Sequence, residues 1–578
     1  MKTNLVLTGN TETLDKEYNN ILSGEWCLQN KNFKNKIADV NYKVIQYHWS
    51  DIEKVKKDYV YLNDLYPSLL KSFCNFLNFY HKTNKPERYW HIIIGPWLVE
   101  SLSILYDRWE TIKLLISKNK FDKITVLNLN KDFLITKDFK HFQSIQDDHS
   151  WNNVIFKEIL NELNINYKLI EVEKTSSAKK SKKNKIKVFL NKSLDNFLKL
   201  FNKNSNLLLY KSNFGHNSLI KIFLLTGILP RNYFEFENDL IKNNEKKNRK
   251  EIHIKFNPSN SFEKFLNRFL FSLMPMSNVE NFSNYLKKVK KIDLNPKVIF
   301  TAFGHSNEDF FKTWVAEKVL ENKKFIICSH GGWVEEMLSC NFYEMIADKY
   351  IIWQKNNSKN VMQMPLNFFL NKKKILNKNH GKDLLFLTYE VELYAHRIQD
   401  GPLSSEIVGL SNHWFDFLDK LDKPQKDKIN FRHGYPFDKW NIKNEFNKNF
   451  SKNFLSKNKK IEQDFKKAKF VVNTQMQTTF FETVKLGLPT FIILKNDLWN
   501  LSDDIKRLYY DLKKHNVIFT DITLAANHLK SIWPDPLSWW NSTEILKLRD
   551  RFSYECCLET QNNFELCIIF LKKIKNEK

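Results

Sequence analysis

Glycine is scarce in this chain, with only 13 glycines in 578 residues. Cysteine is scarcer still: there are 7, and they form neither a CxxC pair nor a cluster with histidine. This spacing does not match a zinc site, and an odd number argues against a disulfide framework, so reduced and mostly buried thiols are expected. Apolar runs do not approach the roughly 18 to 20 residues of a membrane span, so no transmembrane helix is predicted.

The beginning of the chain also lacks the pattern of a secretion signal. The stretch MKTNLVLTGNTETLDKEY turns polar after a short apolar run. It therefore predicts a first buried strand followed by a turn. A cytoplasmic location is the expectation that follows.

Positive charge, by contrast, is plentiful, and the formal net charge is +26. An excess of this size can mark a nucleic-acid or an anionic-membrane partner. Lysine, however, accompanies asparagine in every region, as in NKNFKNK and NKKKILNKNH. Nucleic-acid readers usually concentrate their charge on one face, so no nucleic-acid partner is predicted. A weak peripheral attraction to an acidic membrane surface stays open.

Apolar, β-rich runs alternate with longer amphipathic segments, which is typical of an α/β protein with parallel sheets. The length suggests two to four domains. The strands fall into an earlier and a later series. The earlier series is predicted at 4–9, 89–98, 123–129, 205–211, 296–302 and 323–330. The later series is predicted at 382–389, 428–434, 468–474, 489–495 and 516–521.

These series predict two Rossmann-like domains that face each other across a cleft. The first spans 1–354 and would hold the acceptor, and the second spans 382–578, ends in helices and would hold a nucleotide donor. Residues 355–381 form the predicted interdomain linker. Two lysine-rich runs, 173–187 and 241–255, interrupt the first domain and are predicted to be solvated insertions.

The stretch FIICSHGGW, residues 325–333, places His330, Gly331 and Gly332 directly after a predicted strand. Ligands of open α/β sheets bind beyond the carboxyl ends of the strands, and glycines there let a phosphate or sugar approach the backbone. Taken alone, the stretch favours an ordinary turn. Its position opposite the strand ends of the second series favours a cleft wall, with His330 as a base or a phosphate contact.

A second polar strand end is NTQMQTTFFETVKLGLP, residues 473–489. Hydroxyl groups and free N–H groups at a helix N-terminus suit a diphosphate, so Thr478 and Thr479 are candidate donor-binding residues. Glu482, one turn into the helix, could reach a ribose hydroxyl. The alternative is a capped βαβ unit in which Glu482 is simply solvated.

A third strand end, INFRHGYPFDKW at 429–440, carries Arg432 and His433 before a turn. Arginine can grip a phosphate with two N–H donors, so both residues are predicted to bind the donor. A surface arginine in a loop is the alternative.

The N-terminal half contains three stretches rich in tryptophan, arginine and carboxylates: SGEWC, ERYWHIIIGPWL and YDRW. Aromatic faces beside such groups often meet carbohydrate acceptors, but a tryptophan-rich core looks the same, and each tryptophan alone is more typical of core. The candidates for catalysis are Glu25 and Asp107. The candidates for acceptor binding are Trp26, Arg88 and Trp97.

Together SGEWC, YWHIIIGPWL, SHGGW, EMIADKYIIW and the late TTFFETVKLGLPTFIILKNDLWNLSD resemble a family of transferases encoded in bacterial surface-polysaccharide and O-antigen gene clusters. The similarity covers most of the chain, from about residue 4 to about residue 555. Membership would imply a pathway and a fold more firmly than a reaction. In this chain Ser329 stands where the family usually carries glutamine.

The order of these strand ends is also similar to that in certain GT-B transferases with two Rossmann domains, the glycerophosphotransferases of teichoic acid synthesis and the Kdo transferases of capsule export. That resemblance implies a cytidine-nucleotide donor and no metal. It matches His330 to a base or phosphate contact, and Arg432 and His433 to the donor phosphate. It also matches Thr478, Thr479 and Glu482 to the nucleotide. Gly434 and Tyr435, which precede Pro436 here, depart from the relatives' pattern.

The leading hypothesis is therefore a metal-independent glycosyltransferase that moves a sugar from a nucleotide donor to a surface polysaccharide or lipid-linked glycan acceptor. Transfer of a phospho-polyol by the same fold is the alternative within enzymes. A non-catalytic protein that binds nucleic acid or polysaccharide is the alternative from another class. The carboxylate pair in QDDHS, 146–150, is a minor candidate for a metal site.

Overall fold

The structure is a computed structural model that describes residues 2–171, 206–228, 249, 254–332, 338–364, 370, 381–434, 438–557 and 562–577. The strands are β1 Thr3–Val6, β2 Asn19–Leu22, β3 Tyr42–Val44, β4 Lys123–Leu127, β5 Lys168–Ile170, β6 Leu207–Tyr210, β7 Val298–Thr301, β8 Lys324–Cys328, β9 Lys349–Ile352, β10 Val361–Gln363, β11 Asp383–Leu387, β12 Ile429–Arg432, β13 Ala468–Asn473, β14 Thr490–Ile493 and β15 Ile518–Phe519.

The helices of the N-terminal half are α1 Lys31–Ile37, α2 Ile52–His81, α3 Glu87–Lys118, α4 Phe139–Ile145, α5 His149–Glu162, α6 His216–Thr226, α7 Ser261–Phe269, α8 Phe282–Val289, α9 Gly304–Asn307, α10 Asp309–Leu320 and α11 Leu338–Ile346. Those of the C-terminal half are α12 Glu406–Asp419, α13 Lys423–Lys426, α14 Ile442–Asn449, α15 Ile461–Phe465, α16 Thr478–Leu486, α17 Asp503–Lys514, α18 Ile522–Ile532, α19 Pro536–Trp540, α20 Thr543–Cys557 and α21 Asn563–Asn576.

The described strands form three five-stranded sheets, in the orders β3-β2-β1-β4-β5, β10-β9-β8-β7-β6 and β12-β11-β13-β14-β15. All their pairings are parallel, as in Leu384 opposite Ile429 and Phe386 opposite Val472. The predicted α/β class with parallel sheets is confirmed. The third of these sheets is the predicted later series, whereas the division of the earlier series between two sheets was not predicted.

In the third sheet, the chain leaves β11 for β12 on one side and later returns to β13 on the other side. A crevice opens where the chain reverses in this way, at the carboxyl ends of the strands. This crevice faces the carboxyl end of β8 in the second sheet, since Gly332 contacts Thr478 there. The predicted cleft is thus formed between the second and third sheets.

The strand predicted at 89–98 is wrong, since these residues lie within the long helix α3. Residues 89–99 are all buried. A helix that is buried on every side shows no polar stripe, and its three isoleucines and a valine are typical of strands, so the run resembled a core strand. The other ten predicted strands each coincide with an observed one.

Helices α2 and α3 form a long antiparallel pair that packs against elements of the first and second sheets. Trp97 in α3 donates its indole N–H to Leu273 O at 3.1 Å, and Arg88 in α3 donates to Ile346 O at 3.0 Å. At the other end of the chain, α21 returns to the second sheet, where Cys567 and Leu571 are buried in one cluster with Leu209 and Phe300.

The predicted domain boundaries can be compared with the structure at the linker and at the two lysine-rich insertions. β10, which pairs with β9, lies inside the predicted linker 355–381, so the second sheet extends into that segment. The insertion 173–187 and most of 241–255 lie outside the described residues.

Six cysteines in the described part of the chain are free and buried, as expected. Among the described helices, none combines the length and the apolar content of a membrane span.

Candidate functional site

A cleft of about 350 Å³ lies between the second and third sheets. Three strand ends supply much of its wall. They contribute His330, Gly331 and Gly332 after β8, Tyr389 to Val391 after β11, and Thr474 to Thr478 after β13. The volume is within the range of about 300 to 1,000 Å³ that is usual for ligand pockets. The site therefore occupies the position where open parallel sheets bind ligands.

The segment between β11 and α12, residues 388–405, forms one side of the cleft and is fastened to the first sheet's helices. Asp147 accepts hydrogen bonds from Leu393 N at 3.0 Å and from Lys439 Nζ at 2.6 Å. Tyr394 shares a 2.7 Å hydrogen bond with His149, and Arg108 donates to Ala395 O. We name this segment the β11–α12 loop. The QDDHS motif is thus part of an interdomain contact.

Arg397 is the cation of this loop that lines the cleft. Its side chain is exposed, and it makes no hydrogen bond or ion pair with the residues that the structure describes. It lies close enough to His330 to act on the protonation of that residue. A guanidinium with open donors in a concave site is a ready partner for a phosphate.

His330 lies on the opposite wall, where its ring packs at a 35° tilt against Phe303, with the ring centroids 5.0 Å apart. Loss of hydration in the cleft and the positive charge of Arg397 lower the pKa of its imidazole below the usual value of 6.5. The carbonyl of His330 accepts a hydrogen bond from Asn213 Nδ2 at 3.0 Å, which fixes the turn. At neutral pH the ring is therefore neutral and can accept a proton.

Close packing explains why one of the two adjacent glycines, Gly332, must be a glycine. A Cβ on Gly332 would lie 2.4 Å from the Trp353 ring and 2.9 Å from Phe481, so only glycine fits there. The backbone N–H of Gly332 instead donates to Thr478 Oγ1 at 3.1 Å. This contact brings the N-terminus of α16 to the turn that carries His330.

The N-terminus of α16 points into the cleft with Gln475, Gln477 and Thr478 in its lining. Gln477, at the N-cap position, makes no capping hydrogen bond. Because the first N–H groups of a helix have no partner within the helix, this end favours an anion. Thr479 and Glu482 do not line the cleft, and Glu482 is buried in the helix packing.

A smaller cavity of about 90 Å³ adjoins the cleft and shares Tyr389, Asp400 and Gly401 with it. Burial raises the pKa of Asp400 to about 6, although hydrogen bonds from the N–H groups of Asn500 and Trp499 favour the charged carboxylate and oppose this rise. Burial likewise raises the pKa of Glu406, on the far side of this cavity, to about 7. Carboxyl groups with raised pKa values in a concave site are typical of functional regions.

The structure places Arg432 away from the cleft lining, which corrects its predicted role. Its guanidinium donates to Asp464 at 2.7 Å and to the carbonyl of Asn458 at 2.8 Å. These bonds engage its donors with residues 458–464, between β12 and β13, so the side chain is not available to a donor phosphate. Arg397 provides the cation of the cleft in its place.

His433 is likewise enclosed rather than open to the cleft. Its Nδ1 lies 2.9 Å from Thr388 Oγ1 and its Nε2 lies 3.2 Å from Glu390 Oε2. His433, Glu390 and Asp438 place one ligand atom each within 4.8 Å of one another and could hold a cation. The oxygens of this group already accept hydrogen bonds, as Glu390 Oε2 does from Lys439 N at 2.8 Å.

The candidates of the N-terminal half lie outside the lining of the cleft, and most are buried. Trp26 and Trp97 have exposed fractions of 1% and 0% and donate their indole N–H groups to main-chain carbonyls, so neither can meet an acceptor. Arg88 is ion-paired with Asp348 at 3.0 Å on the outside of α3. Asp107 is buried against Arg108 at 2.8 Å.

The carboxyl of Glu25 is half-buried, and this residue, like Arg88, is not enclosed in the core. Its backbone N–H donates a hydrogen bond to Ser405 Oγ at 3.0 Å, which joins it to the end of the β11–α12 loop. Burial raises the pKa of its carboxyl, while Lys34 opposes that shift. Glu25 therefore contacts the β11–α12 loop, which forms one side of the cleft, but does not line the cleft itself.

Arg397, Asp400 and Glu406 are the site residues that the motifs did not reveal. The signal was nevertheless present for Arg397 and Asp400, because EVELYAHRIQDGP, residues 390–402, follows directly after the predicted strand 382–389. The rule that polar residues after a strand end line the ligand site would have selected this segment, as it selected His330 and Thr478.

Comparison with known proteins gives one match over nearly the whole length. The sequence model of the LIC12162 family transferases matches residues 3–570. No functionally curated protein matches the sequence. Among solved structures, MurG of Acinetobacter baumannii is similar with 12% identity and a TM-score of 0.31, over 64% of this chain and 99% of that one. MnaA of S. aureus with UDP is similar with 10% identity and a TM-score of 0.34, over 64% and 96%. TM-scores below 0.5 establish neither fold nor function.

Proposed function

Since the chain belongs to the LIC12162 family of transferases, we propose that it is a glycosyltransferase acting on a nucleotide-activated sugar. The proposed donor carries a cytidine nucleotide. The proposed acceptor is a surface polysaccharide or a lipid-linked glycan. Among the described residues, the convergence of Arg397, His330 and the N-terminus of α16 on one cleft carries this proposal.

The chemistry of glycosyl transfer matches these groups. The acceptor oxygen forms a bond to the anomeric carbon, while the bond from that carbon to the donor phosphate oxygen breaks. The electron pair of the broken bond leaves on the phosphate, whose charge Arg397 and the α16 N–H groups can stabilise. The proton of the acceptor hydroxyl passes to a base, and the neutral imidazole of His330 can accept it.

A thermal-shift screen with CMP, CDP, UDP and single-stranded RNA tests the donor class. A nucleotide that binds only the folded protein stabilises it by about 2.7 kcal/mol at roughly a hundred times its Kd, so a clear rise in the unfolding midpoint is expected with a cytidine nucleotide. Replacing Arg397 with glutamine should weaken nucleotide binding by about 10- to 100-fold, since charged hydrogen bonds contribute about 1.5–3 kcal/mol.

The matched control is Arg507→Gln, which removes an exposed arginine of α17 outside the cleft lining. Its nucleotide response should equal that of the unchanged protein. A protein that responds to RNA and to no nucleotide would contradict the proposal, and so would a product joined by a phosphodiester instead of a glycosidic bond.

We also propose that turnover needs no divalent metal, because Arg397 and the N-terminus of α16 line the cleft and can stabilise the charge of the leaving phosphate. Activity should be unchanged after treatment with EDTA. Strict dependence on Mg²⁺ or Mn²⁺ would contradict this proposal. Glu390, His433 and Asp438 would then be the candidate metal ligands. In that case His433→Gln should lower the metal affinity without altering the thermal response to CMP.

A further inference from the structure

Helix α6 presents an apolar face that no described element covers. Its buried face packs Leu219 and Ile222 against the second sheet. Its outer face carries four large apolar side chains that are well exposed. They are Ile220 at 60%, Phe223 at 41%, Leu224 at 73% and Leu225 at 54%. Scattered single apolar residues are normal on a surface, but four within six positions of one helix form a contiguous patch.

The last helix, α21, extends this patch and adds positive charge beside it. It packs beside α6, where Lys575 Nζ donates to Thr226 O at 2.7 Å and Lys221 Nζ lies 5.8 Å from the Phe564 ring. Ile569 of α21 is 56% exposed, and Lys572 and Lys573 are exposed beside it. We call the outer faces of α6 and α21 the α6–α21 surface.

We infer that the α6–α21 surface docks the protein on an anionic lipid membrane. Exposed leucine, isoleucine and phenylalanine side chains can enter the boundary between headgroups and acyl chains, while flanking lysines contact anionic headgroups. Charge complementarity supports this occupant over a second copy of the chain. The net charge of +26 and the lysines of the surface would repel an identical partner but attract an acidic bilayer.

The position of the surface also suits the proposed function, although the inference does not depend on it. Strand β6 leads into α6 through a turn that contains Asn213, whose amide donates to His330 O at 3.0 Å. Helix α6 therefore starts beside the turn that carries the cleft histidine. Docking through this helix would place the cleft near the membrane, where a lipid-linked acceptor resides.

Cosedimentation of the full-length protein with vesicles tests the inference. Binding to vesicles of phosphatidylglycerol mixed with phosphatidylcholine is expected, with little binding to phosphatidylcholine alone. The double variant Leu224→Glu, Leu225→Glu should lower the partition coefficient at least about tenfold, because two apolar side chains are replaced by charges of the membrane's own sign. Lys572→Glu, Lys573→Glu should lower it by roughly fivefold or more per lysine.

Matched controls separate this surface from the diffuse charge of the chain. Leu524→Glu replaces another exposed leucine, 61% accessible, on α18. Lys420→Glu, Lys423→Glu makes the same change of charge on another surface. Both controls should bind vesicles about as well as the unchanged protein. Unaltered circular dichroism and thermal unfolding of the Leu224, Leu225 variant would show that it is folded.

Three outcomes would overturn the inference. The first is that the unchanged protein does not bind phosphatidylglycerol vesicles. The second is that the Leu224, Leu225 variant binds them as well as its control does. The third is that this variant converts a dimer into a monomer by light scattering without altered vesicle binding, which would assign the surface to a second copy of the chain. None of these results depends on nucleotide binding, so failure here is distinguishable from failure of the proposed function.

Discussion

Replacing His330 with alanine should reduce the turnover number by about 10²- to 10⁴-fold, the usual contribution of a general base. The side chain lines the cleft opposite Arg397, and the lowered pKa keeps its ring neutral at neutral pH. Turnover should therefore rise as the pH increases through a value below 6.5 and then stay level through neutrality. Steady-state kinetics from acidic to neutral pH measure both effects.

His330→Gln distinguishes a base from a phosphate contact. The glutamine amide can donate a hydrogen bond to a phosphate but cannot accept a proton at this pH. If His330 is the base, both variants should lose turnover equally, with little change in the KM for the donor. If it only holds phosphate, glutamine should restore most of the activity. His515→Ala, at the end of α17 outside the cleft lining, should behave as the unchanged enzyme.

Ten of the fifteen described strands were predictable, because buried parallel strands are short apolar runs bounded by polar residues. The helix at 89–98 was not predictable in this way. Its residues contact protein on all sides, so the only periodic signal that distinguishes a helix was absent. Five described strands were missed, β2, β3, β5, β9 and β10, because each has only three or four residues and too short an apolar run to stand out.

The residues of the site were predictable only where the neighbouring sequence determines their position in the fold. His330 and Thr478 follow strand ends, and a strand end fixes the side of the sheet on which a residue lies. Arg432 also follows a strand end, but its guanidinium is engaged by Asp464, whose position depends on how a later segment folds back. The surroundings of Asp107 could not be predicted in this way. Its carboxylate contacts Tyr47, His48 and Arg108, and these residues are brought together by the packing of α3 against the segment before α2.

Replacing Asp107 with alanine should destabilise the protein by about 3–5 kcal/mol, the cost of removing one partner from a buried ion pair. Asp107 has an exposed fraction of 1%, and Arg108 has 0%. The carboxylate accepts from Arg108 NH1 at 2.8 Å and from His48 Nε2 at 3.0 Å, as well as from the Tyr47 hydroxyl. Without it, the guanidinium keeps Asn152 and Ala395 as acceptors but has no counter-charge.

The pH dependence of this loss follows from the pKa of Asp107. Burial would raise that pKa, but Arg108 and the hydrogen bonds of His48 and Tyr47 outweigh burial and lower it below 3.8. A lowered carboxyl pKa gives stability that is present above the unfolded-state value and is lost as the pH falls through the folded-state value. The difference between Asp107→Ala and the unchanged protein should thus persist from neutral pH to about pH 4 and shrink only below it.

Glu110→Ala is the control on the same helix, since the pair of Glu110 with Lys54 at 2.8 Å is partly exposed and should contribute less than about 1 kcal/mol. Urea unfolding followed by tryptophan fluorescence compares the two variants. Full stability with lost turnover in Asp107→Ala would make Asp107 catalytic, as the sequence first suggested. Because Arg108 also holds Ala395 two residues before Arg397, we instead expect lower stability together with weaker nucleotide binding, as the β11–α12 loop loses its anchor.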